Sequence, residues 1–343
     1  MDAVAKSNGR KRLVIFILVA LLLVTCVVSF TIGRYPIPLG ELGGMLLYKT
    51  GIVPIEPFWT STMEKVLFHI RLPRVAMACL VGCALSAAGC AYQGVFQNPM
   101  ASPDILGASK GAAFGAALTI LLGAGRAVTM AAAFGAGLLS MVLVMAVSAR
   151  AKGKRVVSLI LAGIIVSSLF EAGTSYIKLV ADPADALPNI TYWLMGSLTG
   201  ASPENLAFVF WPILAGVVTL FLLRWQLGVL TLGEDEARTI GVNASAVRLA
   251  VLLCATLLTA ASVSVSGVIG WIGLVVPHLA RRLVGGNYRY LLPASMALGA
   301  LFLLVVDNIS RNLFLTEIPL GILTALVGAP FFLYLMTRGG EAL

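Results

Sequence analysis

Arg10-Lys11-Arg12-Leu13-Val14-Ile15-Phe16-Ile17-Leu18-Val19-Ala20-Leu21-Leu22-Leu23-Val24-Thr25-Cys26-Val27-Val28-Ser29-Phe30-Thr31-Ile32-Gly33 sets three cations against an uncharged apolar run. The run is long enough to cross a bilayer, too long for a typical signal-peptide core, and ends without a convincing cleavage site. It predicts a retained first helix whose N terminus, with Lys6, Arg10, Lys11 and Arg12 in a tail over residues 1–12, stays on the inner side. The rest of the chain has the same character. Of 343 residues, 59% are apolar and 11% charged, and the mean hydropathy is +0.97, far from the balance of a soluble domain. At about 20 residues per crossing the chain has room for about ten short-looped helices, which excludes a large soluble catalytic domain.

Further apolar runs cover residues 75–96, 111–123, 127–148, 156–177, 206–223, 249–268, 269–279, 291–306 and 319–336. With the first they predict an all-α membrane protein of ten helices, both termini cytoplasmic, in one transmembrane unit over residues 13–338. Two runs, 111–123 and 269–279, are shorter than a full span. The basic residues test the count: with ten crossings, 16 of the 24 Lys and Arg fall inside and eight outside, the direction of the positive-inside rule. Lys110 is counted inside in this scheme. The formal charge of +9 is therefore topological, with no call for nucleic acid. The chain carries 35 Gly and 15 Pro, a load that membrane helices tolerate through close backbone approach. Gly107, Gly111 and Gly115 form one small-residue stripe, and Gly267, Gly270 and Gly273 another.

Two connections have room for structure of their own. Residues 34–74 outside contain Pro36, Pro38, Pro54 and Pro57, and Leu39, Leu42, Leu46 and Leu47 at the spacing of a short surface helix. Residues 224–248 inside contain Thr231-Leu232-Gly233-Glu234, a capping-box pattern, then Asp235 and Glu236 in a dipole-favoured first turn and Gly241 as a C-terminal stop. The pattern predicts a helix of about two to three turns.

Catalytic motifs are missing. There is no GxxxxGK[ST], HExxH or GxSxG, so the chain has no usual route to hydrolyse ATP itself. His69 and His278 are far apart and read as interfacial or packing residues. Cys79, Cys83 and Cys90 fall within about 40° of one another on a helix among Ala84, Ala87, Ala88 and Gly89, a setting that suits packing better than a soft-metal path. No metal site is expected. Glu171 reads as a capping or pairing carboxylate, and Asp307 stands one turn before Arg311, a spacing for an ion pair.

Several stretches resemble the FecCD family of ABC importer permeases: Arg71-Leu72-Pro73-Arg74; Gln97-Asn98-Pro99-Met100-Ala101-Ser102-Pro103-Asp104-Ile105-Leu106-Gly107; Leu232-Gly233-Glu234-Asp235-Glu236-Ala237-Arg238-Thr239-Ile240-Gly241; Gly273-Leu274-Val275-Val276-Pro277-His278; Glu317-Ile318-Pro319-Leu320-Gly321; and Gly328-Ala329-Pro330. The resemblance runs from about residue 35 to 336 in one order. It implies a type II ABC importer permease of the inner membrane, acting as a homodimer with two copies of a cytoplasmic ATPase, which carries ATP and Mg, and an extracytoplasmic substrate-binding protein. No cofactor is implied on this chain. The resemblance assigns Arg71, Arg74 and Arg311 to docking of the binding protein. Gly233, Glu234, Asp235, Glu236, Ala237, Arg238 and Gly241 match the coupling helix seated on the ATPase, and Asn98, Pro99 and Met100 match the turn at the inner mouth of the pathway. Cargo implied by the family is a ferric siderophore or haem, with cobalamin as the alternative. A receptor or channel without a motor is a further reading, against which the acidic inner helix argues.

Overall fold

The computed structural model describes residues 2–51, 56–152 and 155–338; Pro54 of the outer loop and Lys154 of the inner basic set lie outside them. Ten apolar helices are present among the described residues, each overlapping one of the ten apolar runs: α1 Asp2–Thr31, α2 Leu72–Val95, α3 Ala108–Leu121, α4 Arg126–Arg150, α5 Arg155–Val180, α6 Pro203–Leu222, α7 Ala244–Ser266, α8 Ile272–Val284, α9 Tyr288–Asn312 and α10 Leu320–Arg338. Seven apolar spans, those containing α1, α2, α4, α5, α6, α7 and α9, are long enough to cross a bilayer. No strand occurs among the described residues. Short helices fill the connections: Leu39–Thr50 outside, as the leucine spacing predicts, then Ala186–Leu194 outside and Arg224–Leu230 and Glu234–Thr239 inside.

Lipid tails offer no hydrophobic drive between helices, so the bundle holds by close packing of small residues. α2 is its hub, with Ala78, Ala84, Ala87, Ala88 and Ala91 fully enclosed. A Cβ on Gly82 would stand 2.3 Å from the Gly299 carbonyl oxygen, and one on Gly299 would stand 2.4 Å from that of Gly82. The α2 and α9 backbones therefore touch at a reciprocal pair of glycines. Gly111 and Gly115 do the same for α3 against α4, facing the Ala136 and Ala132 carbonyls. Gly107, the third member of that stripe, instead ends a 3-10 turn at φ 73°, a left-handed conformation that favours glycine. α1 lies at the rim, where Phe16, Leu23 and Val24 are exposed to the bilayer.

The two short runs have a common explanation. Gly163 of α5 packs directly on the Ile105 carbonyl, and residue 163 is roughly 12 Å above the inner end of its helix. The connection between α2 and α3 therefore turns back into the membrane, and α3 starts part-way across. On the other side, residues 267–271 unwind before α8, whose Gly273 touches Gly89, Leu85 and Pro103. Pro103 and Gly273 bring the two irregular segments together in the middle of the bundle. Non-helical backbone at this depth is tolerated only inside protein or beside a water-filled cavity. Lys110 consequently stands inside the membrane span, 3.1 Å from Glu171, and not on the inner surface. The inner basic count falls by one and keeps its sign.

Candidate functional site

The inner face is built from three connections. In the first, α2 ends at Val95 and Gln97 takes a left-handed φ of 49°, which swings the chain into Asn98-Pro99-Met100. Asn98 Oδ1 accepts the Met100 amide at 2.8 Å, and its carbonyl accepts from Ala101 at 3.0 Å. Asn98 and Met100 remain exposed. The Gln97 amide nitrogen donates to the Leu230 carbonyl at 2.8 Å, so this turn is joined to the helix Arg224–Leu230.

That helix leads into Glu234–Thr239, whose six residues are fewer than the capping-box reading predicts. The box does not form: Thr231 donates its hydroxyl to Gly228 at 2.7 Å, and Gly233 holds the N-cap at φ 129° with no side-chain cap. Thr231 is still in helical backbone as the C-cap of the preceding helix, where an N-cap needs extended backbone, so the next helix starts from Gly233. The C-terminal stop does form. Gly241 at φ 83° donates to Arg238 at 2.9 Å and Val242 donates to Ala237 at 2.9 Å, the paired bonds of a Schellman end, with Val242 and Ala237 packed in one small core. Asp235, Glu236 and Arg238 face solvent while Ala237 is fully buried. Glu234 pairs with Arg248 at the start of α7. The result is a small acidic helix pinned at both ends to elements that enter the membrane.

On the outer face the ends of α1, α2 and α9 converge on a cluster of arginines. Arg74 is held by two carboxylates: Nε and Nη2 lie 3.0 and 2.9 Å from Asp307 Oδ1, and Nη1 and Nη2 lie 2.9 and 2.8 Å from Glu317. Asp307 has no exposed surface. Arg311 stands 3.9 Å from Asp307 and donates to the Ser29 carbonyl at 2.9 Å. Arg71 donates to the Phe30 and Tyr35 carbonyls and is 4% exposed.

Residues 21–338 match the FecCD transport family. The chain is 40% identical over 332 residues, 95% of itself and 97% of its relative, to the molybdate import system permease protein of Haemophilus influenzae. The chain belongs to the FecCD transport family. It is also 39% identical over 278 residues, 81% of itself and 84% of the relative, to a Helicobacter pylori permease named for iron chelatin transport. Among solved structures, an inward-facing transporter described as of the metal-chelate ABC type aligns with a TM-score of 0.84 at 38% identity, over 94% of this chain and 98% of that one.

This FecCD permease is thus an all-helical, multi-pass protein of the cytoplasmic membrane and a transport subunit. The structure adds residues that the sequence reading passed over. Gln97 and Arg248 join the two inner elements to the bundle, and Glu317 completes the Arg74 site. A polar residue directly before Asn-Pro hints at a turn, but nothing in the sequence pairs residue 97 with 230 or 74 with 317. Arg71, Arg74 and Arg311 do not stand outward as free forks: burial and the nearby carbonyls and carboxylates engage them within the chain.

Proposed function

We propose that this chain is the membrane half of an ATP-driven importer, working as a homodimer with two copies of a cytoplasmic ATPase and a substrate-binding protein on the outside. The observation that carries this is the acidic helix Glu234–Thr239, exposed on its charged face and tied through Arg248 to α7 and through Gln97 and Leu230 to the Asn98-Pro99-Met100 turn. A rigid helix passes on a partner's movement where a loop would absorb it, and here the movement would reach the turn at the inner mouth. Gly233, Glu234, Asp235, Glu236, Ala237, Arg238 and Gly241 form the contact with the ATPase, and Asn98, Pro99 and Met100 form the inner gate. ATP and Mg belong to the ATPase.

The binding protein docks on the outer face above the arginine cluster. Arg71, Arg74 and Arg311 are the docking residues, at the outer ends of α2 and α9 beside the end of α1. The cargo is a metal chelate such as a ferric siderophore or haem; the names of the iron chelatin relative and of the metal-chelate transporter support this reading.

The test replaces the two exposed acids, Asp235→Lys with Glu236→Lys, in the tagged chain expressed with its ATPase. Co-purification of the ATPase should drop sharply while thermal unfolding of the permease stays at the wild-type temperature. Full recovery of the ATPase with both charges reversed would reject the coupling role.

A further inference from the structure

α5 crosses the membrane with two unlike faces. Ser168, Glu171, Ser175 and Lys178 recur at steps of three and four residues, which places them within about 80° of one another around the helix. Ser168, Glu171 and Ser175 are exposed and Lys178 is half-buried. The adjoining face carries Leu161, Ile165, Leu169 and Leu179, all exposed, the apolar surface that lipid or a packed neighbour accepts. Glu171 stands about 14 Å below the outer end of α5 at Val180, so the polar stripe occupies the outer half of the span.

The start of α3 faces this stripe. The turn that re-enters the membrane brings Asp104, Ser109 and Lys110 to it, with Lys110 Nζ 3.1 Å from Glu171. Together with Ser175 and Lys178 these residues line a cavity of about 300 Å³, which rises from the middle of the bundle at Asp104 toward the outer end of α5. The ion pair is not sealed inside the bundle: 42% of the Lys110 side chain and 61% of that of Glu171 are exposed. Hydrocarbon does not accept such groups, and ionisable side chains within a span face the bundle interior or a water-filled cavity. A helix that is polar along one stripe and apolar along the next divides two environments. The lining sets Asp104 and Glu171 against Lys110 and Lys178, so it favours water and hydrated solutes over either sign of charge.

We propose that the polar stripe of α5 and the start of α3 form a water-filled wall of the outer half of the transport route, with the Lys110–Glu171 pair as the charged point that passing cargo meets. The proposal rests on the importer reading above and adds to it residues that line the route.

The test uses Glu171→Cys and Ser175→Cys, made singly in the full-length chain with its ATPase in lipid nanodiscs, and a membrane-impermeant sulfonated maleimide. The mass of the intact chain is the readout. Wild type, with its five native cysteines, sets the background, and Leu23→Cys, exposed at similar depth on the rim helix α1, sets the rate for a thiol in lipid. Both stripe variants gain the mass of one label much faster than either control, and trapping the ATPase with ATP and vanadate changes their labelling rate severalfold, because a route opens and closes with the ATPase cycle. Ser175→Cys removes no charge, so it carries the test even where the loss of Glu171 disturbs Lys110. Labelling of both variants no faster than the controls overturns the proposal, and crosslinking of two copies through Glu171→Cys without labelling would make the stripe a seam between copies instead. Fast labelling that is indifferent to the trapped state would make the cavity a static pocket off the route and overturns it equally. Failure of the importer reading would show separately, as wild-type chain that retains no ATPase.

Discussion

Arg74 gathers Asp307 and Glu317 at the outer end of the bundle, and Arg311 supplies a second cation to Asp307. A buried ion pair adds little net stability when intact, but removing one member strands the other in a poor solvent, at about 3–5 kcal/mol. Arg74→Ala should therefore lower the detergent-resistant unfolding temperature of the purified chain markedly, and Arg74→Ala combined with Asp307→Asn and Glu317→Gln should recover much of it. Recovery of nothing would mean that the cluster acts through packing alone. The i,i+4 relation of Asp307 and Arg311 is legible in the sequence because helix geometry fixes it. The partnership of residue 74 with 307 and 317 is not, because it depends on which helices become neighbours.

Among elements, α2 and α8 meet where a Cβ on Gly89 would stand 1.8 Å from the Gly273 carbonyl oxygen. In an exposed helix Gly→Ala is stabilising by about 1 kcal/mol. Here the sign reverses, since the clash is with backbone and no flexible side chain can yield. Gly89→Ala should lower both the membrane level and the unfolding temperature of the chain, measured by fluorescence size-exclusion chromatography; wild-type behaviour would show that α8 can shift away without loss. Apolar runs identify every one of the ten helices, because crossing the bilayer dictates length and hydropathy together. They do not reveal that α3 and α8 begin part-way across, a depth set by the turns at Gly107 and Trp271 and by their contacts. For the same reason Lys110 reads as an inner-surface charge in the sequence and pairs with Glu171 in the fold. The helix Glu234–Thr239 shows the same division: its stop at Gly241 is local and legible, while its start is set by how far the preceding helix Arg224–Leu230 runs, which leaves Thr231 in helical backbone and Gly233 at the N-cap.

For the whole molecule, the inner acidic helix, the inner-mouth turn and the outer arginine cluster lie on one bundle whose helices are joined by backbone-to-backbone contacts. Such packing transmits a shift at one end to the other more faithfully than loosely interleaved side chains would. The most direct test is to reconstitute the chain with its ATPase and binding protein in proteoliposomes and measure uptake of radiolabelled ferric chelate with ATP enclosed. The account predicts uptake that requires ATP and the loaded binding protein and that stops when the ATPase is hydrolysis-deficient. Uptake that runs down its gradient at the same rate without ATP would contradict it and make the chain a channel.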